Sequence, residues 1–241
     1  MRPMSELRRV AHAAIGTAAL FAPIAFVSTG AAATLSPRAL LDTALHNATS
    51  SHWVHESVQV KQKGVVVQEA NDDIGATEGL QFVSTLGGGE SEVIAFDRSH
   101  TIYVRANALG LTSIYALSST DATTFAADWM TVTPSDSEYG SIAYATTLAS
   151  DFGQVRFSGA VSESGVVVFK GRRVRVLKGT VPPVDGAPKF VGTLYVTATG
   201  KLRPVTFVER NAKAMVTVSW SSWGHRYVLH APTGAVSFPT S

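Results

Sequence analysis

From Trp53 onward the sequence counts in twos. Val54, Val58 and Val60 alternate with His55, Ser57 and Gln59, which is the pattern of a strand with one buried face. The segments GVVVQEAN, GLQFVSTL, SEVIAFD and TIYVRA read the same way. After residue 150 come GQVRFSGAVSE, GVVVFKG, RRVRVLKG, KFVGTLYVTATG, KLRPVTFVERN, AKAMVTVSWSS and HRYVLHAP. Turn chemistry separates them: GGGE and DRSH early, then ESG, TGK and NAKA at hairpin-like length. Strands joined by short hairpins pair with their sequence neighbours. Ten or eleven such strands predict one large, strongly curved antiparallel sheet.

In its simplest register the alternation puts Phe82, Ile94, Phe96, Ile102, Val104, Val174, Val176, Leu194, Val196, Val205, Phe207 and Trp220 on one face. Thr85, Asp97, Arg105, Arg173, Arg175, Thr197, Thr206 and Thr217 fall on the other. An apolar sheet face needs a cover, and two segments can supply it. In SPRALLDTALHNA, Ser36 suits a helix cap, Pro37 the first turn, and Leu41, Ala44, Leu45 and Ala48 form a stripe. Residues 107–150 carry helix-like spacing around the turn-rich TVTPSDSE. No linker divides the chain, so the expected class is α+β, mainly β, in one domain over residues 34–241.

The amino-terminal residues pose a separate question. Arg2, Arg8 and Arg9 precede an apolar stretch, and Ala31-Ala32-Ala33 closes it with small residues. Positive start, apolar middle and small-residue end predict a secretory leader over residues 1–33, cut before Thr34. Pro23 and the predominance of Ala over Leu argue against a retained anchor. Val27-Ser28-Thr29-Gly30 approaches a lipobox, but Ala31 stands where the cysteine belongs and the chain has no cysteine at all. Neither thioether lipidation nor a disulfide is therefore expected. The 20 basic and 18 acidic side chains balance once Arg2, Arg8, Arg9 and Glu6 leave with the leader. A balanced chain lacks the positive excess of a nucleic-acid binder.

Catalytic signals are absent: there is no G-x-S-x-G, Walker-type or G-x-G-x-x-G sequence. His52 and His55 stand three apart on a strand and so point to opposite faces, as surface histidines rather than metal ligands. Asp72-Asp73 and Glu90-x-Glu92 sit in turn-rich settings and are read as solvated. In KGRRVRVLKG, Arg173 and Arg175 are read as a solvated strand face whose charges discourage edge pairing, with anionic headgroups as the functional alternative.

SPRALLDTALHNATSSHWVHESVQV, ADWMTVTP and GTLYVTATGKLRPVTFVE together resemble the LppX/LprG-type envelope proteins, relatives of the lipoprotein carrier LolA. The resemblance spans about Ser36 to Phe238 and implies a half-open antiparallel barrel wrapping an amino-terminal helix and a central helical insert. It implies a protein of the cell envelope, binding a lipid, glycolipid or acylated protein between sheet and helices. The chain departs from its many membrane-tethered relatives in lacking the lipobox cysteine, so with its leader it is expected to be exported and non-lipidated. Phe96, Val104, Leu194, Phe207 and Trp220 are the candidate lining, with Trp129 near the mouth. Peripheral membrane contact and a partner protein of the envelope are compatible with that reading, and no cofactor is expected. The alternative is a secreted protein-binding or sensory module with the same scaffold and a filled core. No enzymatic activity is expected.

Overall fold

A computed structural model describes residues 35–143, 146–182 and 189–239, and the leader read over residues 1–33 lies outside them. Helix α1 (Pro37–Thr49) begins as its sequence dictates: the Ala39 N–H donates to the Ser36 hydroxyl at 3.2 Å, and Pro37 opens the first turn. Its buried stripe is Leu40, Leu41, Ala44 and Ala48, with Leu45 half-buried beside it.

The strands are β1 (Trp53–Gln62), β2 (Val65–Gly75), β3 (Glu78–Thr85), β4 (Glu90–Phe96), β5 (Thr101–Ala106) and β6 (Met130–Val132). After them come β7 (Ser158–Phe169), β8 (Arg172–Thr180), β9 (Val191–Thr197), β10 (Pro204–Arg210), β11 (Ala214–Ser221) and β12 (Val236–Ser237). All twelve form one sheet in the order β12, β6, β5, β4, β3, β2, β1, β11, β10, β9, β8, β7. Among the described residues, every pairing is antiparallel except the short parallel contact of β12 with β6. A sheet this wide curls instead of staying flat. It consists of two meanders, β1 to β6 and β7 to β11, joined by β1 pairing with β11 from His55↔Ser221 to Gln62↔Ala214. Lys63-Gly64 and Lys170-Gly171 make two of the hairpins, with positive φ at both residues, the conformation that matches strand twist.

Among the described residues, four short helices occupy the middle of the chain: α2 (Ala108–Ser113), α3 (Ser119–Thr124), α4 (Tyr139–Ala143) and α5 (Leu148–Phe152). On the concave face, α1 packs on α5, β7 and β10, while α2 packs on β4 and β5. Two main clusters result. Leu40, Leu41, Phe152, Phe157, Leu177, Leu194, Phe207 and Trp220 belong to the first, under α1 and α5. Val93, Ile102, Val104, Leu111, Leu117, Met130 and Phe238 belong to the second, under α2 and α3.

The structure departs from the sequence reading in several places. ESG is not a turn: β7 runs through residues 163–165 and absorbs them as a register shift against β8. NDDIG is not a turn either, since β2 carries Asp72 and Asp73 within its ladder. HRYVLHAP forms no strand and is irregular. The single apolar face is also corrected. Val93 pairs with Val104 on the helix side, which sends Ile94 and Phe96 outward. Leu177 pairs with Leu194 on the helix side, so Val174 and Val176 face out, where Phe169 and Tyr195 stack with centroids 4.1 Å apart. Arg175 thereby points inward and meets Glu163 at 3.2 Å. The cause is the same in both strands: adjacent apolar residues, Val93-Ile94 and Val176-Leu177, fit either phase.

Truncating the α1 stripe tests the packing. Leu41→Ala is expected to cost about 2–5 kcal/mol in urea denaturation, because Leu41 is buried under α5 and the sheet. Leu45→Ala, at the half-buried flank, is expected to cost markedly less.

Candidate functional site

Between the two large clusters the concave face is thinly covered. Val58, Ala70 and Val83 are cross-strand neighbours on β1, β2 and β3 and form a small buried cluster. Around it, Val60, Val216, Val218 and Ile114 are only half-buried. Pairing explains the grouping: Val58 lies opposite Val218 and Val60 opposite Val216, so all four face the helices across the seam between the meanders. Helix α1 ends over β10 on one side and α2 lies over β4 and β5 on the other. The strip over β11, β1 and β2 is therefore an apolar floor with incomplete cover.

A row of polar side chains crosses the same face one step along the strands. Trp220, Glu56, Asp72 and Gln81 are successive cross-strand partners on β11, β1, β2 and β3, all under 9% exposed. The indole Nε1–H of Trp220 donates to Glu56 Oε2 at 2.8 Å and to Asp151 Oδ2, from α5, at 3.2 Å. Gln81 Nε2 donates to Asp72 Oδ2 at 3.0 Å. These contacts tie α5 to the sheet and give the row a fixed geometry.

On the other side of the valines stands Glu209, opposite Val216 and in phase with Phe207. It is 7% exposed, and among the described residues none donates a hydrogen bond to it. Desolvation raises its pKa from 4.5 to about 7. Its neighbour on β9 is Gly192, where a Cβ would lie 2.6 Å from the Phe157 ring. The glycine leaves room for that ring beside the carboxyl group.

The residues singled out from the sequence occupy three different places. Leu194, Phe207 and Trp220 share the first cluster. Val104 lies in the second, fully buried. Phe96 faces outward and lines a surface pocket, and Trp129 lies under the Arg105 guanidinium, 4.7 Å from its ring centroid. Arg105 pairs with Glu92 on that same outer face. The inward acids Glu56, Asp72, Asp151 and Glu209 were missed. Glu56 and Glu209 did carry a signal, being in phase with Val54 and Val58 and with Phe207. His55, read as a surface histidine, meets Asp73 across the β1–β2 ladder at 2.8 Å. Among the described residues, no group of three His, Asp or Glu could hold a metal ion, and no helix is long and apolar enough to cross a membrane.

No protein-family model matches the chain, and no curated protein matches it in sequence. Solved structures do. The crystal structure of LprF from Mycobacterium bovis is similar with a TM-score of 0.57 at 14% identity, over 82% of this chain and 97% of that one. The lipoprotein LppX of Mycobacterium tuberculosis is similar with a TM-score of 0.51 at 16% identity, over 81% of this chain and all of that one. The chain thus has the LppX-like fold, as its sequence led us to expect.

Two substitutions probe the site's electrostatics. Folded Glu209 holds its proton more tightly than the unfolded chain does, so between pH 4.5 and about 7 stability falls as pH rises. The fall amounts to about 3 kcal/mol from this group and levels off above its folded pKa. Stability curves for Glu209→Gln should lack this component, leaving the variant more stable than the parent above neutrality. Trp220→Phe removes the donor shared by Glu56 and Asp151, and the urea midpoint is expected to report a loss of about 1–3 kcal/mol.

Proposed function

We propose that this protein binds an apolar ligand, the acyl part of a lipid, glycolipid or acylated protein, on the strip between its two helix-covered clusters. One observation carries the reading: Val60, Val216, Val218 and Ile114 face the concavity yet stay half-buried. A filled core would bury them like their neighbours Val58 and Ala70. An acyl chain laid there gains about 0.8 kcal/mol for each methylene withdrawn from water. The 241 residues contain no cysteine, so packing rather than a thioether holds the ligand.

The fold shared with LppX, itself a lipoprotein, supports this reading. The leader read over residues 1–33 fits a protein working outside the cytoplasm. The short helices α2 and α3 are the parts whose displacement would open the strip for loading and release. The site needs no chemical step: its concave face offers packing, a fixed acid–indole row and one neutral or ionised carboxyl.

The test is the mass of the full chain purified from the medium or envelope of a bacterial host, measured natively and again after denaturation. A non-covalent adduct of lipid size, lost on denaturation, is the expected result. Val218→Arg or Val216→Arg is expected to abolish the adduct while near-ultraviolet circular dichroism stays native, since both positions are half-buried. A bare parent chain, or an adduct retained by the folded variants, would overturn the proposal. Arginine at Leu194 or Phe207 is less useful, because both lie in closed core and should unfold the protein.

A further inference from the structure

The outer face carries a second concavity, of about 870 Å³, at the end of the sheet where β1 begins. Its floor is built by neighbouring strands. Trp53 on β1 pairs with Gly75 on β2, and Glu78 on β3 pairs with Phe96 on β4. Gly75 is required there: a Cβ would lie 2.8 Å from the Glu78 carbonyl oxygen and 3.0 Å from two atoms of the Trp53 ring. Tyr103, one step along β5, meets Phe96 edge-to-face with centroids 6.1 Å apart. The irregular segment 224–231 closes the other side and is pinned in place. The Gly224 N–H donates to the Trp53 carbonyl at 2.8 Å, and the Tyr227 ring packs on Trp53 at 5.8 Å.

The charges of this pocket are unbalanced. Arg98, Arg226, His52 and His230 stand on its exposed rim, and among the described residues Glu78 is the one lining carboxylate. Among the described residues Arg98 and Arg226 form no ion pair, whereas Arg105 and Arg175 each hold a glutamate and Arg203 lies over Trp223. Nor does any described residue donate a hydrogen bond to the Glu78 side chain. Two guanidiniums present planar donor forks suited to phosphate or carboxylate. Phe96 and Tyr103, half-buried, offer aromatic surface to a ring. A carboxylate beside them accepts from hydroxyl groups. An anion alone would use only the rim, and an apolar ring only the floor.

We propose that this pocket binds a hydroxylated ring carrying an anionic group, of which a sugar phosphate is the simplest form. Arg98 and Arg226 take the phosphate, the ring lies against Phe96 and Tyr103, and Glu78 accepts from the ring hydroxyls. The site stands apart from the concave strip, on the opposite face of the sheet, and does not depend on what that strip binds.

The test uses the full chain and isothermal titration with three probes: glucose 1-phosphate, inorganic phosphate and glucose. Glucose 1-phosphate is expected to bind saturably and at least about tenfold more tightly than either comparator, and Arg98→Gln with Arg226→Gln to weaken it about tenfold or more. Both arginines are exposed, so the melting temperature should not change. Glu78→Gln is a second, milder variant, expected to weaken glucose 1-phosphate but not inorganic phosphate. Cosedimentation with phosphatidylinositol vesicles, competed by glucose 1-phosphate, would assign the group to a lipid headgroup. Binding of the soluble probe alone would assign it to a free sugar phosphate. Inorganic phosphate binding as tightly as glucose 1-phosphate, affinity unchanged in the double variant, or no saturable heat would each overturn the proposal.

Discussion

A shortage of cover governs this molecule. Twelve strands present one broad concave face, and the described residues offer one helix of thirteen residues and four of five or six to shield it. Burial of apolar area drives folding, so the helices settle where the largest side chains stand. Leu194, Phe207 and Trp220 gather under α1 and α5, and Val104 and Met130 under α2 and α3. What remains between them is lined by valines, small and shape-constant, on β11 and β1. The candidate site follows from this arithmetic of coverage.

The same face bears acids, which a plain core would exclude. Glu56 and Asp151 are held by one indole N–H, and Asp72 by Gln81. This arrangement fixes α5 relative to the sheet through direction-dependent bonds, where apolar contact alone would allow sliding. Glu209 is different in kind, because burial disfavours its charge and no described residue donates a hydrogen bond to it. Near neutrality it changes between a neutral and a charged group beside the valine strip. The polarity of that end of the strip therefore varies with the medium.

The sequence made some of this plain and concealed the rest for identifiable reasons. Helix α1 was legible because cap, proline and stripe agree, and the TGK and NAKA hairpins because glycine and asparagine mark them. The large antiparallel sheet followed from those hairpins. Strand phase was legible only where a strand alternates cleanly, as in Val54 to Val60. In SEVIAF and RVRVLK, apolar residues occupy both phases, and only cross-strand partners decide which side faces the helices. That ambiguity misplaced Phe96. Strand β6 has three residues, too few for any period to show, so Trp129 was read into a helical segment instead of beside a short strand between β5 and β12. Asp72 was hidden by composition, since NDDIG looks like a turn while its strand is set by pairing on both sides.

The seam between the two meanders has a consequence in time. Strand β1 is the first to leave the ribosome and its partner β11 nearly the last. Until β11 is made, the newborn amino-terminal meander carries β1 as an open edge, with the valines of its inner face uncovered. Pairings this distant along the chain slow folding, because the loop must close before the contact rewards it. The floor of the candidate site is thus among the last parts of the molecule to form, and a chain ending before Ala214 would have no such floor.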